Sequence, residues 1–117
     1  MEQYEWVIQG KAYKIDFENN RAAEELTTLF PLSVEMKDLN GNEKFCYLPK
    51  PLTEQPKSMK EIKKGDVMLY GPNCLVLFYK DFTTTYAYTR LGKVVDFDES
   101  AATLGQENSQ VQIHAVH

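Results

Sequence analysis

The sequence has little of what most catalytic and metal-binding sites use. It contains two histidines, His114 and His117, both near the C-terminal end, and two cysteines, Cys46 and Cys74, without CxxC spacing. A serine-type triad needs a histidine beside its nucleophile, and a zinc site needs grouped histidine or cysteine ligands. We therefore expect no such triad, no metal site and no disulfide or redox pair, and the sequence names no catalytic residue.

Features that bind phosphate or nucleic acid are also scarce. The six glycines are isolated, so neither GxGxxG nor GxxxxGK occurs. The net charge is −4, and only Arg21 and Arg90 offer a guanidinium for paired phosphate or base contacts. The sequence predicts no bound cofactor and no nucleic-acid partner.

Long hydrophobic segments are missing as well. The longest apolar run, residues 74–79, is far shorter than the roughly 20 residues of a membrane-spanning helix. Residues 1–9 are too polar for a signal peptide. We therefore expect a cytoplasmic protein that makes no membrane contact.

The apolar residues that are present favour a mainly β fold. With 117 residues and 43% hydrophobic content, the chain suits a single domain over residues 1–117. Short alternating or continuous apolar segments predict strands at residues 4–9, 12–17, 32–36, 43–48, 67–70, 74–79, 86–95 and 111–115. Turn residues separate them, including Gly10-Lys11 as a two-residue hairpin turn.

Two helical segments interrupt this β pattern. Asn20 is a typical N-cap residue before a helix that begins at Arg21 and is ended by Pro31, and residues 100–104 predict a short helical turn. Many short strands with one good helix favour a barrel or a sandwich.

The most unusual segment is FYKDFTTTYAYTR, residues 78–90, which holds five aromatic residues and three consecutive threonines. Aromatic walls with a few polar groups are typical of small-ligand pockets. Alternation places Tyr86, Tyr88 and Arg90 on one face of a strand. That face is a binding surface if it is open and part of the core if it is buried, and the sequence leaves both readings open.

The turn at residues 40–45 is a second candidate. Asn40, Glu43 and Phe45 lie where a tight turn enters an aromatic strand. This segment is either an ordinary β-turn with a solvated Glu-Lys pair or one edge of a pocket.

Five segments together resemble the bacterial cyclophilin-like fold family: LFPLSVEM at 29–36, LNGNEKF at 39–45, GDVMLY at 65–70, CLVLFY at 74–79 and TTYAYTRLG at 84–92. The resemblance runs from about residue 7 to about residue 113. It implies a closed cyclophilin-like β-barrel with one α-helix, in a family whose members largely lack an assigned activity. The phenylalanine-histidine-arginine segment of true cyclophilins has no counterpart here.

The leading hypothesis is a module that binds a small molecule or a peptide segment between the turn at 40–43 and the segment 79–90. Its candidate ligand-binding residues are Asn40, Glu43, Phe45, Tyr79, Phe82, Thr84, Thr85, Tyr86, Tyr88 and Arg90.

Two alternatives stay open. The first is a prolyl cis/trans isomerase in which Arg90 donates to the prolyl amide and Phe45, Phe82 and Tyr86 receive the ring. The second is a protein-interaction domain, because some members of the family that the chain resembles are joined to flavodoxin-like domains. A small-molecule binder is expected to be a monomer, which distinguishes it from an interaction domain.

Overall fold

A computed structural model of the chain describes residues 2–98 and 108–116. Within those ranges it contains one helix, α1 (Arg21–Thr27), and eleven strands. The strands are β1 (Gln3–Ile8), β2 (Lys11–Phe17), β3 (Leu32–Leu39), β4 (Glu43–Tyr47), β5 (Lys57–Ser58), β6 (Glu61–Ile62), β7 (Asp66–Tyr70), β8 (Cys74–Phe78), β9 (Phe82–Thr83), β10 (Ala87–Val94) and β11 (Ser109–Val116). The helical turn expected at 100–104 lies outside the described residues.

The strands close into an antiparallel barrel. The order is β2-β1-β11-β3-β4-β8-β7-β10, and β10 pairs back to β2, so eight described strands form a ring. At that closure the backbones approach so tightly that a Cβ on Gly92 would lie 2.5 Å from the Asp16 carbonyl oxygen. The mainly β, closed-barrel prediction is confirmed, and the one described helix is too short and too polar to cross a bilayer.

The first hairpin turn lies one residue earlier than the sequence suggested. Gln9 and Gly10, rather than Gly10 and Lys11, connect β1 to β2, and both have positive φ angles, 50° and 80°. Positive φ at both turn positions matches the right-handed twist of the two strands.

Helix α1 begins as expected and ends early. The Asn20 side chain accepts a hydrogen bond from the Ala23 backbone N–H at 2.9 Å, and its amide donates to the Arg90 carbonyl at 2.8 Å. The helix stops at Thr27 and not at Pro31, so that part of the prediction was wrong. The Thr27 and Thr28 hydroxyls bond carbonyls of the preceding turn, which competes with continuation of the helix.

Strands β7 and β8 are covered on both faces, as suits their near-continuous apolar sequences, and most of β10 is buried as well. One face points into the barrel, where Trp6, Leu69, Leu77 and Leu91 belong to the main core. The other face carries a second group, the outer cluster, made of Ile62, Met68, Val76, Phe78 and Tyr88. Met59 and Phe82 partly cover the outer cluster, and the rest of this outer face remains available to form a site.

Candidate functional site

A cavity of about 330 Å³ lies on the outer face of the barrel beside the outer cluster. We call it the tyrosine cavity, and it is lined by Leu39, Asn40, Glu43, Phe45, Tyr47, Tyr70, Cys74, Val76, Tyr86 and Tyr88. Strands β3, β4, β8, β7 and β10, together with the residues next to them, supply these side chains.

Strand register explains why these residues meet. Glu43, Phe45 and Tyr47 alternate along β4 and therefore share its outer face. Across the ladder, Phe45 pairs with Val76 and Tyr47 pairs with Cys74. Directly opposed residues of antiparallel strands point to the same side, so two neighbouring strands build one continuous wall.

The far wall consists of tyrosine rings. The Tyr70 ring lies 5.9 Å from the Tyr86 ring and 5.5 Å from the Tyr88 ring, measured between centroids. Tyr47 and Tyr86 are exposed, at 68% and 60%, whereas Tyr88 is only 5% exposed. The face that carries Tyr86 and Tyr88 is thus open at Tyr86 and part of the core at Tyr88, whereas alternation alone could not show whether it is open or buried.

Among the described residues that line the cavity, Glu43 is the one acidic residue. It is 8% exposed, and no hydrogen bond or ion pair from the described residues reaches its carboxyl. Burial, together with the negative charge of Asp38, raises the pKa of Glu43 to about 7. A buried carboxyl without a partner is uncommon in folded proteins, because its charged form loses hydration.

A buried polar group, which we call the Asp38 network, lies on the inner side of the same strands. The Lys44 ammonium is 3.2 Å from an Asp38 carboxylate oxygen, and the Tyr79 hydroxyl donates to that oxygen. The Gly41 backbone N–H donates to the other oxygen at 3.1 Å. Burial alone would raise the pKa of Asp38, but the bonds from Tyr79 and Lys44 lower it below its ordinary value.

The structure divides the ten residues predicted from the sequence. The five that line the tyrosine cavity are Asn40, Glu43, Phe45, Tyr86 and Tyr88. Tyr79 does not, since its side chain is buried inside the barrel within the Asp38 network. Phe82, Thr84 and Thr85 line a neighbouring depression that shares only Tyr86 with the cavity.

Arg90 lies in a different groove. Its Nη1 is 3.5 Å from a carboxylate oxygen of the buried Asp66, and the groove also contains Asn20 and Gln55. None of Phe45, Phe82 and Tyr86 lines that groove. The structure therefore does not bring Arg90 together with the aromatic residues that the isomerase hypothesis assigned to a proline ring.

Sequence reasoning missed five lining residues: Leu39, Tyr47, Tyr70, Cys74 and Val76. Cys74 is half-buried at the cavity wall, while Cys46 is buried inside the barrel. The strands expected at residues 67–70 and 74–79 leave only residues 71–73 between them, and counting register outward from that connection would have placed Tyr70 opposite Cys74.

The two thiols are expected to react at different rates. Alkylation needs access and a thiolate, and burial raises the pKa of both cysteines, that of Cys46 to about 12. Because only Cys74 faces the cavity, iodoacetamide should modify it faster than Cys46, by about tenfold or more. Mass spectrometry of timed samples measures this, with Cys74→Ser as the control that retains only the slow thiol. Equal rates would contradict the placement of Cys74.

Comparisons with known proteins agree with this architecture. The model of a family described as the cyclophilin-like family matches residues 6–114. A search of curated proteins found no match. Among solved structures, that of McbB in complex with tryptophan superposes with a TM-score of 0.68 at 20% identity, over 97% of this chain and 44% of that one. The chain thus spans less than half of McbB, and the likeness concerns the fold alone. With nearly its whole length matched by the family model, the chain belongs to the cyclophilin-like family.

Proposed function

We propose that the protein binds a small organic molecule in the tyrosine cavity. One observation carries the proposal: exposed aromatic rings surround a buried carboxyl, Glu43, that has no partner among the described residues. Ligand pockets combine mostly apolar and aromatic walls with a few polar groups, in volumes of about 300 to 1,000 Å³. At about 330 Å³, this cavity suits a small molecule better than an extended peptide.

The exposed rings add a thermodynamic argument. Tyr47, Tyr70 and Tyr86 leave large apolar surfaces in water beside one another. Covering such surface gains about 25 cal/mol for each Å² removed from water. Tyrosine also loses little side-chain freedom when it is ordered, so a ligand that covers these rings retains most of that gain.

The other hypotheses have less support. An isomerase would need a donor beside its proline pocket, and Arg90 instead pairs with Asp66 in a separate groove. Docking to a flavodoxin-like partner remains a prediction that rests on the resemblance, and the monomeric state remains a prediction that rests on the small-molecule hypothesis. Tryptophan is the molecule in the McbB complex, and at 20% identity that fact supports only its inclusion among the compounds to be tried.

The test is a titration of the ¹⁵N-labelled protein with a panel of small aromatic compounds that includes tryptophan. Binding should shift the amide signals of residues 43–47, 70–76 and 86–88. Leu39→Trp places a large ring at the partly exposed rim and should weaken binding by about tenfold or more. Gln112→Trp is the control, because Gln112 is exposed on β11 and does not line the cavity. Shifts that appear elsewhere, or that survive Leu39→Trp, would contradict the proposal.

A further inference from the structure

The charge distribution around the tyrosine cavity restricts the chemistry of its ligand. No lysine, arginine or histidine is found among the described residues that line it, and Glu43 is its acidic group. The further charge that acts on Glu43 is that of Asp38, which is also negative. Lys44 lies across the sheet from Glu43, with its ammonium at the Asp38 carboxylate. A negatively charged ligand group would therefore meet only negative charge at the cavity wall.

The rings favour a positive ligand for an independent reason. Aromatic faces carry negative electrostatic potential and attract ammonium groups at distances within about 6 Å of the ring centre. Tyr70, Tyr86 and Tyr88 form one contiguous group, with centroids 5.5 to 5.9 Å apart along its contacts, and Phe45 and Tyr47 form another at 6.0 Å. Both groups share the cavity with Glu43.

We propose that the tyrosine cavity selects a small organic cation, whose ammonium nitrogen lies beside the Glu43 carboxylate and whose apolar part packs against the tyrosine rings. This inference rests on the proposed function and names the ligand class for the same site. An ammonium supplies both the hydrogen-bond donor and the opposite charge that a buried carboxylate ordinarily has. It also explains why the cavity pairs one acidic group with five aromatic rings.

The protonation of Glu43 gives the binding a characteristic pH dependence. Since its pKa is about 7, Glu43 carries a proton in most molecules at pH 6 and must lose it to pair with a cation. The titratable groups that act on it are Asp38, whose pKa is lowered, and Cys74, Tyr79 and Tyr88, whose pKa values are raised. The hydroxyls of Tyr47, Tyr70 and Tyr86 complete the lining. Glu43 is the group whose pKa lies near neutral pH.

The experiment compares three compounds that share a phenyl ring: phenethylamine as the cation, 2-phenylethanol as the neutral analogue and phenylacetate as the anion. Dissociation constants come from amide shift titrations of the full chain at pH 8. We expect phenethylamine to bind about tenfold tighter than 2-phenylethanol, because it adds a charge-assisted hydrogen bond, and phenylacetate to bind weakest. From pH 8 to pH 6, the affinity for phenethylamine should fall about tenfold, following the ionised fraction of Glu43.

Three variants separate the contributions. Glu43→Gln should bring phenethylamine to the affinity of 2-phenylethanol and remove the pH dependence. Glu54→Gln makes the same charge change in an exposed loop and should leave the affinity for both compounds unchanged. Tyr86→Leu removes an exposed aromatic ring. It should weaken the binding of the cation several-fold and the binding of the neutral compound less. Thermal melts of each variant confirm that the fold is intact.

The outcomes distinguish the two proposals. Preference for the cation that disappears in Glu43→Gln supports the inference. Equal binding of all three compounds at the cavity overturns the inference and leaves small-molecule binding in place. No shift at the cavity with any of the three compounds, or with the wider panel, overturns both.

Discussion

Replacing Asp38 with alanine is expected to lower the free energy of unfolding by roughly 3 to 5 kcal/mol, the usual cost of removing one partner from a buried ion pair. The Lys44 side chain is completely buried, and the variant takes away the carboxylate 3.2 Å from its ammonium. The Tyr79 hydroxyl, buried with it, loses its acceptor as well. Urea denaturation followed by the single Trp6 measures the change.

The matched control is a carboxylate in a surface ion pair. Asp16 lies 3.5 Å from the Lys14 ammonium, and both side chains are more than half exposed. Exposed pairs contribute about 0 to 1 kcal/mol, so Asp16→Ala should cost little. In the Asp38→Ala/Lys44→Met double variant no ammonium remains at the site, and it should be less destabilised than the two single changes added together. An Asp38→Ala variant as stable as Asp16→Ala would contradict the structural role of the network.

The Asp38 network also connects the barrel interior to the cavity. It fixes the turn at residues 39–42 through the Gly41 N–H, and the Tyr79 N–H donates to the Asn42 carbonyl at 3.0 Å. Glu43 follows that turn directly, so the same bonds that hold Tyr79 inside the barrel position the acidic group of the cavity. The negative charge of Asp38 is in addition one of the two causes of the raised pKa of Glu43.

Local patterns were sufficient for most of the fold. Alternation in β3 and β11 predicts which residues face inward, and Asn20 marks the helix start, because both depend on neighbours in sequence. The helix end was missed because the Thr27 and Thr28 hydroxyls donate to carbonyls of the preceding turn, which competes with continuation of the helix. The apolar residues Leu29 and Phe30 have helical spacing and suggested that the helix continued.

The site was harder to predict because its walls come from several strands. Glu43 and Phe45 could be selected from one turn, whereas Tyr47 and Cys74 meet only through the β4–β8 register. Tyr79 was assigned to the pocket although it points inward. Phe78 and Tyr79 are consecutive aromatic residues in a part of the sheet that is covered on both faces. The alternation of side chains along a strand therefore cannot show which of the two points outward.

Arg90 illustrates a different limit. It shares the outer face with Tyr88, as alternation indicates, yet its guanidinium lies at Asp66, on the neighbouring strand. A sequence pattern assigns a face to a residue, but it does not reveal the buried charge that attracts a long side chain.

Replacing Glu43 with glutamine is expected to change how stability depends on pH. The pKa of Glu43 is about 7 in the folded protein against an ordinary 4.5, so the folded state binds the proton more tightly than the unfolded state. Wild-type stability should therefore fall as pH rises from about 4.5 to about 7, by roughly 2 to 3 kcal/mol from this group. Glutamine keeps the size of the protonated side chain without the ionisation, so the variant should be more stable than wild type at pH 8 and similar at pH 4.5.

The difference between the wild-type and Glu43→Gln curves isolates this one group. The lowered pKa of Asp38 has the opposite effect, because its stabilising contribution is lost only as pH falls below 3.8, outside this window. The raised pKa values of Cys74 and Tyr88 place their ionisation above it. Urea midpoints at half-unit steps of pH from 4.5 to 8 give both curves, and Glu54→Gln should reproduce the wild-type slope. If Glu43→Gln is no more stable than wild type at pH 8, the Glu43 carboxyl is not desolvated, and the electrostatic basis for a cationic ligand is lost with it.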